Sequence, residues 1–363
     1  MKKLRLYIAL FLTTSILTIV AIPTVAIETP FHVMFLGKVE LKKPDWSKYH
    51  QIKAPAMLRG QDIVRTSRGT AAKFYCSDLK VRELETNQTR EIKKVCPPTS
   101  RQQLVSGRSK IAPTRGTRGG ASRGANNPTI PYIISPRNTS VLAERPVLRW
   151  NRVEGANSYT VEVQGPEVNW KTKTSSTEIV YPGSPPLKKG LVYQLIVVAD
   201  NGASSRSERG GRFSVLSSPE VQQVQATASQ LKQHQLTSEA EALALANIYI
   251  NKNLNAEAIE LLEDTIERNT PSIALYQNLG DIYRQVGLNL LATKPYLEAL
   301  KLAEAEEDVA RMAAAQVSLG EVEMSLGNKD EAVQWLEKAV AGYRQLGDSK
   351  KISQLQRQIS RLI

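Results

Sequence analysis

Few residues in this 363-residue chain are spaced for covalent or metal chemistry. Its three histidines, His32, His50 and His234, are far apart in sequence, and no nucleophile elbow, phosphate-binding loop or metal-spaced ligand cluster accompanies them. Acidic pairs such as Glu306-Glu307 fall within a helical pattern, where a solvated face accounts for them. The sequence therefore carries no expectation of catalysis and implies no cofactor. Two cysteines remain, Cys76 and Cys96. Outside the cytoplasm they would most simply pair, and closing a loop of that length stabilises a domain by roughly 3 kcal/mol in the chain-entropy model. A nucleophilic or metal-binding cysteine is the competing role, and neither residue has a histidine beside it in sequence.

The expectation of export comes from the start of the chain. Lys2, Lys3 and Arg5 precede an apolar run without charge until Glu28, and Thr24 and Ala26 suit a cleavage site. Residues 1–26 therefore read as a secretory signal, with the protein in the periplasm or outside the cell. The apolar run is long for a signal, so a membrane anchor over residues 6–27 is the alternative.

The formal charge of +13 is unevenly placed. Residues 27–100 carry 14 basic and 8 acidic side chains, 101–134 carry 6 and 0, 135–218 carry 11 and 7, and 219–363 carry 14 and 20. A basic front and an acidic back suggest contact with anionic surfaces, or between the ends of neighbouring molecules. Residues 101–134, rich in Gly, Ser, Thr, Pro and Arg, lack the apolar surface to offset ordering and read as a solvated linker. Their Arg-Gly steps suit an anionic envelope polymer or lipid surface. Nucleic acid is disfavoured, because no aromatic side chain interleaves the arginines.

Two stretches carry strand patterns. Residues 27–100 hold short alternating apolar runs broken at Gly37, Gly60 and Asp62, which implies a small all-β domain. Gly60, Asp62, Ile63, Thr66, Gly69 and Ala71 give this stretch a resemblance to the FecR-like sheet domains of bacterial envelope proteins, which implies a binding or signalling module. In 135–217, Tyr159, Val161 and Val163 alternate with polar neighbours, and Trp150 is placed to fill a core between two sheets. With Leu187, Gly190 and Tyr193 at a corner before a long strand, the stretch resembles a fibronectin type III or immunoglobulin-like sandwich. Lys189 stands where that corner usually has proline.

From 218 to 363 the pattern is helical. Leu245, Ala246, Tyr249, Ala258 and Leu262 align with Leu279, Gly280, Tyr283, Ala292 and Tyr296 at an offset of 34 residues. Leu319, Gly320, Gly327, Ala332, Leu336 and Ala339 form a third unit after six additional residues. This period and pattern resemble tetratricopeptide repeats. Glycine costs a helix about 1 kcal/mol relative to alanine, so Ala246, Gly280 and Gly320 at one site imply close helix crossings. Expected starts are Ser218-Pro219, Ser238 with Glu241, Thr270-Pro271, and Asn328 with Glu331. A first helix bearing Val221, Val224, Ala228 and Leu231, and a last bearing Ile352, Leu355, Ile359 and Leu362, would cap the array.

The repeat resemblance implies a concave groove for a peptide or helix, lined by the first helix of each unit. Its exposed inner positions would be Leu243, Asn247 and Ile250; Gln277, Asp281 and Arg284; and Val317, Glu321 and Met324. Two acids and one arginine do not make a clamp for a terminal carboxylate. The expectation is an exported, multidomain, non-catalytic adaptor, and the order of its regions resembles envelope repeat proteins of bacteria, including cyanobacteria. The alternative is a FecR-like sensor held by an uncleaved anchor.

Overall fold

The computed structural model describes residues 32–78, 80–97, 127–208, 210–268 and 271–363. The expected leader, most of the basic segment and Thr270 lie outside the described residues. Eight strands open the described chain: β1 (His32–Leu36), β2 (Lys38–Lys42), β3 (His50–Lys53), β4 (Ala56–Leu58), β5 (Ile63–Arg65), β6 (Ala72–Tyr75), β7 (Val81–Leu84) and β8 (Thr89–Glu91). They form two four-stranded sheets, β4-β1-β6-β7 and β3-β2-β5-β8. Gly37 links β1 to β2 at φ +104°, and an added Cβ would lie 2.5 Å from the Ala71 carbonyl oxygen, so only glycine fits. A one-turn helix, α1 (Ile92–Val95), follows. A disulfide from Cys96 to Cys76 fastens α1 to the end of β6.

A second β region contains β9 (Ile133–Ser135), β10 (Thr139–Val141), β11 (Val147–Trp150), β12 (Tyr159–Gly165), β13 (Val168–Thr174), β14 (Glu178–Val180), β15 (Val192–Ala199) and β16 (Arg212–Val215). Its sheets, β10-β16-β15-β12-β13 and β14-β11-β9, enclose one apolar core. Trp150 packs edge-on to Tyr159 at 5.6 Å in that core. The region begins earlier than the 135 read from sequence, because Tyr132, Ile133 and Ile134 at the end of the expected linker are buried. At the expected corner, the Lys188 N–H donates to the Tyr193 hydroxyl at 2.7 Å, and Gly190 takes φ +75°.

Eight helices then follow: α2 (Ser218–Lys232), α3 (Ser238–Asn251), α4 (Asn255–Arg268), α5 (Ile273–Gln285), α6 (Asn289–Ala305), α7 (Val309–Leu326), α8 (Lys329–Leu346) and α9 (Ser349–Ile359). The pairs α3/α4, α5/α6 and α7/α8 stack as three repeats, with α2 and α9 at the ends. The six additional residues of the third unit are absorbed by lengthening α6 to 17 residues and α7 to 18, against 13 in α5. The turn within each pair needs a left-handed residue, supplied by Asn253 (φ +56°), Gly287 (+79°) and Gly327 (+93°).

Helix starts depart from expectation by one or two residues. Ser217, not Ser218, caps α2, and its N–H donates to Glu220 Oε2 at 3.1 Å. Thr237, not Ser238, caps α3 by accepting from the Ala240 N–H. Ser272, rather than Thr270-Pro271, caps α5. Neighbouring hydroxyl residues are equally competent caps, so the incoming chain path decides between them. Asn328 holds the cap position of α8, but its amide is drawn away to donate to Glu323 Oε2 at 2.7 Å.

The small residues mark the crossings. A Cβ at Gly280 would lie 2.6 Å from the Tyr296 ring, and one at Gly320 would lie 2.8 Å from the Leu336 side chain. Packing therefore outweighs propensity at both sites. Gly280→Leu is expected to destabilise the protein by at least the roughly 1–3 kcal/mol of overpacking, read as a lower melting temperature. Gly320→Ala should also lower it, because the added Cβ would meet both Cγ and Cδ2 of Leu336 at 2.8 Å and the Ala332 carbonyl oxygen at 3.3 Å.

The second β region is fixed to the array along α4 and the pair turns. Arg149 makes a bidentate pair with Glu263 at 2.8 Å, and Arg137 Nε donates to the Val286 carbonyl at 2.7 Å. Arg137 also forms a buried ion pair with Glu208. Thr139 donates to the Asn253 carbonyl and accepts from the Asn255 N–H, and the Leu142 N–H donates to Glu257 Oε1. The other Glu257 oxygen is buried without a hydrogen-bond partner, and burial pushes its pKa up to about 7. The seam thus favours the neutral carboxyl. Its contribution is complete below the ordinary glutamate pKa of about 4.3 and is lost as pH rises through about 7. Glu257→Gln is expected to raise the melting temperature above that of the native protein near pH 8 and to leave it close to native near pH 5.

Candidate functional site

Three of the expected groove residues lie on α5, one turn apart, so that all face one side of the helix. Gln277 Nε2 donates to Asp281 Oδ1 at 3.3 Å and to Ser318 of α7 at 3.3 Å. Arg284 pairs with Glu321 of α7 at 3.0 Å. The Tyr296 hydroxyl, reaching across from α6, donates to Asp281 at 2.7 Å and accepts from Arg284 Nε at 3.4 Å. Asp281, Arg284 and Glu321 thus meet in one cluster spanning two repeats. Asp281 and Arg284 are open to water.

The electrostatics follow from crowding. Although Asp281 keeps contact with water on one side, the protein crowded around its other sides pushes its pKa up, while the Tyr296 hydroxyl and Arg284 oppose that shift. Burial pushes the Tyr296 phenol up, and the adjacent Asp281 carboxylate adds to the shift. Counting Asp281, Glu321 and Arg284, the cluster carries one net negative charge, with carboxylate oxygens available to lysine, arginine or amide donors.

The remaining expected positions are not all open. Leu243 and Val317 were expected to be exposed, but are 0% and 7% exposed. Leu243 shares a buried cluster with Val33 and Tyr75 of the first β region, and Val317 belongs to a cluster that runs from α7–α9 into the same sheets. Met324 is half-buried, with Gln358 of α9 donating to its sulfur at 2.9 Å. Ile250 is half-buried at the edge of the Leu243 cluster, and Asn247 accepts from Asn251 Nδ2 at 3.4 Å. These positions were misread because the period of a repeat places a residue on the inner face but does not reveal what else folds back onto it.

Tyr296 is a further residue of the cluster, outside the expected groove positions. One signal in the sequence does mark it: the equivalent residues are Leu262 and Leu336, so a hydroxyl tip appears only in the middle repeat. Among the described residues, no group of three or more His, Cys, Asp or Glu is placed to hold a metal ion. No described helix is long and apolar enough to cross a membrane. Tyr296→Phe is expected to retain the helix crossing, lower stability by roughly 0.5–1.5 kcal/mol, and raise the Asp281 pKa further, as followed by carboxyl NMR during an acid titration.

The tetratricopeptide repeat profile matches residues 270–345. No curated protein matches the chain. Among solved structures, BtubC (BKLC) from P. vanneervenii is similar at 17% identity and TM-score 0.30, over 40% of this chain and 72% of that one. MamA is similar at 20% identity and TM-score 0.29, over 40% and 91%. A putative kinesin light chain repeat protein of Podosopora anserina is similar at 22% identity and TM-score 0.29, over 39% and 88%. The C-terminal helical region of this chain carries tetratricopeptide repeats.

Proposed function

We propose that the protein is an exported scaffold whose repeat array captures a peptide or helix through the open strip around Asp281, Arg284 and Glu321. The observation that carries this reading is the cluster itself. Charged side chains from first helices of adjacent repeats converge there, and Tyr296 holds Asp281 in place. Its single net negative charge favours a ligand segment with lysine or arginine. The leader sequence supports export, as does the Cys76–Cys96 disulfide, which persists in oxidising compartments.

The first β region acts in this reading as a FecR-like module. Asp62 and Thr66 of the matching pattern are buried, and their side chains bind backbone groups at turns: Asp62 accepts from the Arg59 N–H, and Thr66 bridges Glu85 and Gln88. The second region acts as a fibronectin-like spacer, supported by its two-sheet core and the Tyr193 corner. The basic segment 101–134 offers contact to an anionic envelope polymer or lipid. A FecR-like sensor tethered by residues 6–27 is the second reading, favoured by the packing of the first β region against the array. The mass of the mature protein separates the two, since a start at Ile27 removes the anchor.

The test is capture from an envelope extract with residues 27–363 as bait. Asp281→Asn combined with Glu321→Gln is expected to weaken retention of the captured polypeptide by about tenfold or more, roughly 1.4 kcal/mol, with helix content unchanged by circular dichroism. Equal retention by the native and double-substituted baits would assign binding to another face.

A further inference from the structure

The first β region makes contact with the array through the helices that form its inner side. Strand β1 packs on α3, and Val33 and Tyr75 are buried with Leu243, with Met57 and Val81 at the margin of that cluster. Met34, Trp46 and Ile52 belong to the cluster that contains Ala313, Val317 and Leu355. At the rim, Arg311 at the start of α7 donates to the Lys53 and Pro55 carbonyls at 3.2 and 3.4 Å. Lys350 at the start of α9 pairs with Asp45 at 3.2 Å. Ser47 lies so close to Gly347 that a Cβ on the glycine would be 3.0 Å from the serine Cβ. The helices reached, α3, α7 and α9, share one side of the stack.

The two β regions are held to the array by different means. The second has the bidentate Arg149–Glu263 pair, the buried Arg137 bonded to the Val286 carbonyl, and the Thr139 and Leu142 hydrogen bonds at its seam. The first has apolar contact, two long hydrogen bonds to carbonyls, and a Lys350–Asp45 pair whose side chains are 75% and 43% exposed. An exposed pair of that kind contributes little, so the first region is held chiefly by apolar burial. Its charge also suits the array. Residues 32–97 carry 14 basic and 7 acidic side chains, against 14 and 20 in 219–363.

We propose that residues 32–97 are a tethered, displaceable occupant of the inner face of the array, and that this face takes a partner of the same chemistry. That chemistry is an apolar β-strand surface, read by Leu243 and Val317. The proposal extends the groove reading above, to which it adds the apolar half of the groove. The open strip meets ligand directly, whereas the apolar half becomes available only when the first β region lifts away. The apparent affinity of a competing partner is then reduced by the fraction of molecules still docked.

The test uses residues 27–363 and a synthetic peptide copying residues 32–42, HVMFLGKVELK. Arg311→Ala with Lys350→Glu loosens the rim without touching either core. In the loosened protein, amide exchange over residues 240–246 and 313–317 should quicken by about tenfold or more at unchanged helix content. The peptide should bind the loosened protein at least about tenfold more tightly than the native protein. Equal peptide binding by the two forms, or binding by neither, overturns the proposal. So does a loss of helix content in the loosened protein, which would make the first region part of the core of the array. Amide exchange over residues 240–246 and 313–317 does not depend on the carboxylates of Asp281 and Glu321, so failure here is distinguishable from failure of the open-strip reading.

Discussion

The contact on which the binding surface depends is the ring of Tyr296 lying where Gly280 has no side chain. A Cβ at Gly280 would penetrate the ring, so the glycine sets how closely α5 and α6 approach. That approach brings the phenol hydroxyl through to the inner side, where it meets Asp281 and Arg284. With a wider crossing the hydroxyl would fall short, and Asp281 would lose the donor that fixes its rotamer. A single packing constraint therefore determines the spacing of the middle repeat and the geometry of its polar cluster. In the third repeat the same crossing is filled by Leu336 against Gly320, which gives the spacing but no polar tip.

Much of this was legible in the sequence, and the reasons are specific. The 34-residue offset and the recurring small residues report short-range helix packing, which each repeat encodes locally. The turn residues Asn253, Gly287 and Gly327 are likewise dictated by backbone sterics at one position. Cap positions were off by one where hydroxyl residues stand in tandem, because side-chain chemistry alone does not choose between them. The fate of Leu243 and Val317 depends on residues of the first β region far earlier in the chain, such as Val33 and Tyr75 for Leu243 and Met34 and Trp46 for Val317, joined through a basic segment with no periodicity of its own. Nothing in the pattern of α3 or α7 distinguishes a face awaiting a ligand from one covered by the same chain.

The charge asymmetry illustrates the same limit. A basic front and an acidic back suggested attraction between ends, and the first β region does pack against the array. Yet the close ion pair at that seam runs against the averages, with an acid from the front, Asp45, meeting a lysine from the back, Lys350. Arg311 of the array gives its hydrogen bonds to neutral carbonyls. Lys43 does lie within electrostatic reach of Asp348, but burial lowers its pKa, and the larger opposing carboxylate is Asp62 of its own region. Net charge therefore acts over distance, favouring encounter between the regions, while apolar burial holds them once in contact.

The two seams divide the labour of the molecule. At the second β region, Arg137 is committed to Glu208, to the Ile133 carbonyl and to the Val286 carbonyl of the array at once. Separating those surfaces would leave a buried ion pair short of one acceptor and expose a backbone oxygen that had been satisfied. That penalty makes the second region and the array behave as one body. Apart from the part-buried Lys43, the described contacts of the first region with the array include no buried ion pair, so parting the two chiefly returns apolar surface to water, a cost that another apolar surface can offset by taking its place. A rigid pair of units with one exchangeable neighbour is the arrangement expected of a scaffold that holds its binding face covered until a partner competes for it.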